Sequence, residues 1–137
     1  MKSTAKAIWS GSGKEGKGTL STGSKTLDNT PYNFKSRFED GTDTNPEELI
    51  AAAHAGCFNM KLSFVLGNFG YTPTELASVC TINMVDGMIE GSHIELEAKV
   101  PDIDLEKFKE CVEDALQNCP ISALFNVNIT LDYSLEH

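Results

Sequence analysis

The chain is short of positive charge. Eleven Lys and Arg stand against twenty Asp and Glu in 137 residues, a formal net charge of −9. Nucleic acid is therefore not an expected partner, because neutralising phosphates needs a basic face. Long apolar runs are missing as well. No stretch approaches the roughly 18–20 apolar residues of a membrane span, so no membrane partner is expected. The opening MKSTAKAIWSGSGKEGKG lacks the apolar segment of a signal peptide. A cytoplasmic location follows as an expectation. There the four cysteines (57, 80, 111 and 119) should be mostly reduced, and any disulfide would be transient and chemical rather than structural.

What is present is ordinary globular material, 40% hydrophobic and 23% charged, long enough for one domain with a core of its own. No internal repeat or long linker interrupts it. The domain is expected over 1–134, with the final Leu-Glu-His (135–137) read as the remnant of an expression tag. KAIWS (6–10) and TLSTG (19–23) predict strands around a glycine-rich hairpin turn. That turn contains GxGxxG and faintly echoes a phosphate-binding loop. A dinucleotide site needs a following helix, however, and a phosphate loop needs Ser or Thr directly after Gly-Lys, where Gly18 stands.

After the polar, turn-rich segment 35–44 comes the strongest helix signal, over residues 46–68. Thr44 or Asn45 serves as N-cap, Pro46 takes the first helical position, and Glu47 and Glu48 complement the positive helix end. The segment is apolar on nearly all sides, which predicts burial on several faces at the centre of the fold. Strands are expected over 75–87 and 91–101, the second with Ile94, Leu96, Ala98 and Val100 on one face. An amphipathic helix follows Asp104, then a short PISALF turn, then a last alternating strand, NVNITLDYSL. The order predicts an α+β fold with antiparallel sheets.

Cys57 stands in the middle of the apolar helix. A buried thiol there is adequate core filling. Reactivity would require a lowered pKa, and the helix dipole fades within about a turn of the N-terminus. A cation must then be supplied by His54, Lys61 or Arg37. Arg37 is the strongest of these on physical grounds, since it is always charged and its fork can hold a thiolate while also pairing with Glu47 or Glu48. Cys119, just before Pro120, can cap the following turn and suits a leaving group in disulfide exchange. Cys80 and Cys111 read as filler. A zinc site on His54-x-x-Cys57 lacks further ligands at metal spacing, and no serine-hydrolase motif is present.

Taken together, RFEDGTDTNPEELIAAAHAGCFNMKLSFVLGNFGYTP and NCPISALFNVNITLDYSL resemble the OsmC/Ohr family of osmotically inducible and organic-hydroperoxide-resistance proteins. The position of the FxxRF arginine is similar to that of the OsmC branch. The resemblance implies antiparallel sheets wrapped around long central helices in an intertwined homodimer. It implies a thiol peroxidase in oxidative or osmotic stress defence, with Cys57 peroxidatic, Cys119 resolving through a Cys57–Cys119 disulfide, Arg37 activating and Glu47 its carboxylate partner. No metal or organic cofactor is implied. The reductant would be a dithiol, such as a lipoyl-bearing protein, or a small thiol. Phe34, Phe38, Ile50 and Phe58 are expected to form an apolar pocket that prefers organic hydroperoxides to hydrogen peroxide. The alternative is a non-catalytic member, a redox sensor or small-molecule binding module. A disulfide oxidoreductase would lack its CxxC.

One geometric expectation follows. Ten residues of straight helix separate Glu47 and Cys57 by about 15 Å. Either the helix begins later than Pro46 suggests, or Arg37 and Glu47 serve the Cys57 of a second subunit, the arrangement that the resemblance to an intertwined homodimer implies.

Overall fold

Asn45 fixes the start of the longest element. Its side-chain oxygen accepts the Glu48 N–H at 2.9 Å, and Pro46 follows it, so α1 (Pro46–Asn68) begins where the sequence predicts. Thr44 has a different task, its hydroxyl donating to the Glu48 carboxylate at 2.8 Å. The structure, a computed structural model, describes residues 1–38 and 43–137. Of the polar segment predicted over 35–44, Glu39–Thr42 lie outside the described residues. The chain forms two compact units, Met1–Leu49 and Ile50–His137, with α1 passing from one into the other.

In the first unit β1 (Ala5–Ser10), β2 (Lys17–Thr22) and β3 (Thr30–Tyr32) make an antiparallel sheet in that order. The expected glycine-rich hairpin joins β1 to β2, while β3 has no signal in the sequence beyond its three residues. Gly18 is paired with both Trp9 and Tyr32. A Cβ there would meet the Tyr32 ring at 2.5 Å and the Trp9 ring at 2.7 Å, so the glycine is what allows those rings to approach to 5.4 Å. Gly18 is also the one buried residue among the described residues of this unit. A three-stranded sheet without a packed face is marginal alone.

The second unit carries the core. β4 (Glu75–Val85) and β5 (Met88–Lys99) form a hairpin through Asp86 and Gly87, both at positive φ (50° and 78°), the geometry that favours Asp-Gly. This tight turn replaces the longer connection expected over 88–90. α2 (Leu105–Asn118) starts on Asp104, whose carboxylate accepts the Lys107 N–H at 2.8 Å. The predicted PISALF turn is a short helix, α3 (Pro120–Leu124). β6 (Asn128–Glu136) then pairs with β5 in parallel, correcting the expectation of purely antiparallel sheets. The reason is the crossover: α2 and α3 carry the chain back along the sheet, and a strand that returns by a helix re-enters in the same direction. Leu135 and Glu136, set aside as a tag remnant, continue β6 opposite Ala98 and Lys99, and His137 bonds the Ile103 carbonyl at 2.6 Å.

Ile94, Leu96, Ala98 and Val100 all face inward, as the alternation predicts, and meet Phe58, Leu62 and Leu66 of α1 and Phe108 and Val112 of α2. Asn59 ties α1 to β4, donating to the Leu76 carbonyl at 3.1 Å and accepting from Ser78 at 2.5 Å. Burial of α1 is one-sided, a correction to the expectation of burial all round. His54, Phe58, Leu62, Val65 and Leu66 are buried, while Met60 and Phe64 remain 66% and 68% exposed. By length and composition alone α1 is also long and apolar enough to cross a membrane, against the expectation that no stretch approaches such a span.

Candidate active site

The turn Lys35–Arg37 is built on short polar side chains. Ser36 donates its backbone N–H to the Asn33 side-chain oxygen (2.9 Å) and its hydroxyl to the carbonyls of Asn33 (2.7 Å) or Thr44 (2.9 Å). Asn45 donates to the Ser36 carbonyl at 3.0 Å. These bonds lash the turn to the start of α1, where Arg37 Nε donates to Glu47 Oε2 at 3.0 Å. Glu48 is occupied with Thr44, so the arginine's partner among the two candidates is Glu47. Beside Arg37 lies a hollow of about 240 Å³ lined by Trp9, Tyr32, Phe34 and Pro46.

In the second unit the Cys57 thiol meets Cys119 and the Ile121 N–H. Cys57 is half-buried and Cys119 fully buried, both as free thiols. Burial pushes the Cys57 thiol up, the Ile121 N–H draws it down, Cys119 pushes it up further, and the charge of Lys61 draws it down. Within a single chain, then, the groups beside Cys57 leave its thiol above the ordinary cysteine value. Cys119 ends α2 and caps α3, its sulfur accepting the Ser122 N–H at 3.3 Å. That is the capping role its position before Pro120 suggests.

His54 is not the cation considered for Cys57. It is fully buried, Nδ1 is 2.6 Å from the Ser92 hydroxyl and Nε2 is 2.8 Å from the Ser122 hydroxyl, and burial lowers its pKa below the usual histidine value. Neutral imidazole suits two hydroxyl partners, since one ring nitrogen donates and the other accepts. The Phe125 ring meets it edge-on at 4.8 Å.

The sequence-predicted residues thus gather into two pairs, Arg37 with Glu47 and Cys57 with Cys119, one pair in each unit. Of the expected pocket, Phe34 stands beside Arg37 and against Phe38 (rings 5.0 Å apart), Phe38 is largely exposed, and Ile50 is half-buried. Phe58 has no surface at all; its ring fills the core with Leu62 and Ile94, a correction to its place in a pocket. Cys111 is core filling as expected, whereas Cys80 bonds Ser92 at 3.1 Å. Trp9, Tyr32, Ser92 and Ser122 were missed. Ser92 carried a signal, as a hydroxyl in phase with the inward face of β5. Ser122 carried another, three residues beyond a capping cysteine.

The family model for OsmC-like protein matches residues 39–134. Peroxiredoxin OsmC of Escherichia coli (strain K12) is 45% identical over 134 residues, spanning 95% of this chain and 94% of that protein. Organic hydroperoxide resistance protein-like 2 of Staphylococcus epidermidis is 33% identical over 72% of each chain. Among solved structures, an organic hydroperoxide resistance protein OsmC from Legionella pneumophila superposes with a TM-score of 0.69 at 20% identity, covering 100% of this chain and 98% of that one. An α+β chain with two small sheets and a cysteine pair of this kind is an OsmC-type protein. This chain belongs to the OsmC family.

Proposed function

We propose that this chain is a thiol-dependent peroxidase that reduces organic hydroperoxides, working as a homodimer in oxidative or osmotic stress defence. The observation that carries the reading is the meeting of Cys57 and Cys119 in one place, a half-buried thiol against a buried one. Cys57 attacks the distal peroxide oxygen. The S–O bond forms as the O–O bond breaks, and the alcohol leaves with a proton. The product is a sulfenic acid on Cys57. Cys119 then condenses with it, releasing water and forming the Cys57–Cys119 disulfide. A dithiol, with a lipoyl-bearing protein as the favoured candidate, restores the two thiols by exchange. The names of the relatives, peroxiredoxin and organic hydroperoxide resistance protein, agree with this chemistry.

A thiol raised by burial needs a cation before it can react at neutral pH. In this reading the cation is Arg37 of the second subunit, oriented by that subunit's Glu47. α1 is unbroken from Pro46 to Asn68, so the alternative of a later helix start falls away, and a rise of about 1.5 Å per residue separates Glu47 from Cys57 along it. Two further observations favour a second chain: the first unit buries no large side chain of its own among its described residues, and α1 exposes Met60 and Phe64. The aromatic hollow beside Arg37 would hold the alkyl or aryl group while the guanidinium faces the oxygens. The chain then acts as one cytoplasmic OsmC-like domain, with Leu135 and Glu136 part of its last strand.

Intact mass after one equivalent of cumene hydroperoxide tests the scheme. Wild type should lose two hydrogens, and Cys119→Ala should gain one oxygen. Absence of both changes would make the protein a non-catalytic sensor or binding module. Turnover of hydrogen peroxide with a higher kcat/KM than cumene hydroperoxide would defeat the apolar-hollow assignment.

A further inference from the structure

Cys119 has no exposed surface, yet in the peroxidase reading, on which this inference rests, its thiol must give up a proton to form the disulfide. The thiol has no surface of its own through which to pass it to solvent. The structure supplies another acceptor. Cys119 Sγ is 3.2 Å from Ser122 Oγ, and Ser122 Oγ is 2.8 Å from His54 Nε2. On the far side of the ring Nδ1 is 2.6 Å from Ser92 Oγ, which lies 3.1 Å from Cys80 Sγ. Every member of this line has a partner, and each serine hydroxyl can donate in one direction while accepting from the other. Polar side chains so placed in a core cost desolvation that an apolar set would not, so packing alone does not call for them.

We propose that Ser122 passes on the Cys119 thiol proton and that His54, acting through Ser122 as a positioning residue, receives and holds it. The step balances without a further oxidant. The Cys119 S–H bond breaks, its proton moves to Ser122 as the Ser122 proton moves to Nε2, and the S–S bond forms as the Cys57 S–O bond breaks. The departing hydroxide takes the proton back from Nε2 through Ser122 and leaves as water. Cys57 sulfur is reduced by the exchange and Cys119 sulfur is oxidised. In the tautomer that carries its proton on Nδ1, facing Ser92, the imidazolium formed in passing has a hydroxyl acceptor on each side. In the reverse sense the same line returns a proton to Cys119 when the reductant opens the disulfide.

The test separates the two chemical steps. A stoichiometric pulse of cumene hydroperoxide loads the sulfenic acid, and its decay to disulfide is followed by dimedone trapping and mass in wild type, His54→Gln and Ser122→Ala. Glutamine can keep hydrogen bonds to both serines but cannot take the proton, so a merely structural histidine would be rescued by it. The expected result is a slowing of resolution by at least about tenfold in both variants, with no further loss in the double variant. The pH profile is the second readout. The titratable groups facing the pair are Cys80 of β4, at 3.9 Å from Nδ1, and Cys119, with Cys57 and Lys61 of α1 behind it. Wild-type resolution should vary little with pH, whereas in the variants it should climb about tenfold per pH unit below the thiol pKa. Resolution in His54→Gln within twofold of wild type, with an unchanged pH slope, overturns this inference and leaves the peroxidase reading intact. A wild type that forms neither sulfenic acid nor disulfide overturns both. Should His54→Gln fail to fold, Ser122→Ala, which removes one oxygen, decides the matter on the same criteria.

Discussion

Replacing Glu47 by Gln keeps the shape of the arginine's partner and removes its charge. Arg37 Nε lies 3.0 Å from Glu47 Oε2, with side-chain exposures of 32% and 15%. At that distance and an effective dielectric near 20, the gross attraction is about 5 kcal/mol, most of which desolvation and solvent screening offset. A hydrogen bond to a charged group keeps a net value of about 1.5–3 kcal/mol. If Glu47 serves to hold the guanidinium in one orientation, losing that amount lowers the aimed population by roughly 10- to 100-fold. The rate of sulfenic acid formation should fall by the same factor, measured by stopped flow with cumene hydroperoxide in single turnover. The later step from sulfenic acid to disulfide should not change, because it uses other groups. A Glu47→Gln protein whose first step runs within twofold of wild type would refute the orienting role, and a loss confined to thermal stability would reassign the pair to folding.

Arg37→Lys should cost more, about 100-fold or greater in the first step, since a single ammonium cannot hold a carboxylate and still offer a planar fork to sulfur and oxygen; single-turnover kinetics checks it. Met60→Glu combined with Phe64→Glu should dissociate the proposed dimer, seen by light scattering, and abolish turnover while each chain keeps its helices; a fully active dilute monomer of wild type would end the two-chain assignment. His54 titrates lower in the folded protein than its ordinary value near 6.5, so below that value the unfolded chain binds more protons and stability falls as pH drops. Urea midpoints should therefore decline below about pH 6.5, and His54→Gln should remove that contribution.

Much of this was legible in the sequence because the signals were local. The Asn45–Pro46 start of α1, the Asp104 cap of α2 and the alternation of Ile94 to Val100 depend on neighbours along the chain. The Arg37–Glu47 pair was legible too, through the resemblance and the need for a counter-charge. The parallel placement of β6 was not, because pairing direction depends on where α2 and α3 deliver the chain. Nor was the place of Phe58, which shares its helix with exposed Phe64 and differs from it only in which side meets β5. His54 looked like a spare cation until Ser92 and Ser122, far away in the sequence, closed on its two nitrogens.

The sulfur of Cys119 also caps the start of α3, accepting the Ser122 N–H. In the proposed disulfide that sulfur would be a poorer acceptor, and the amide would lose its anchor on oxidation. Redox state is thereby written into the backbone: amide exchange at Ser122 and Ala123 should quicken in the oxidised protein, giving a reductant a loosened edge by which to tell spent molecules from fresh ones.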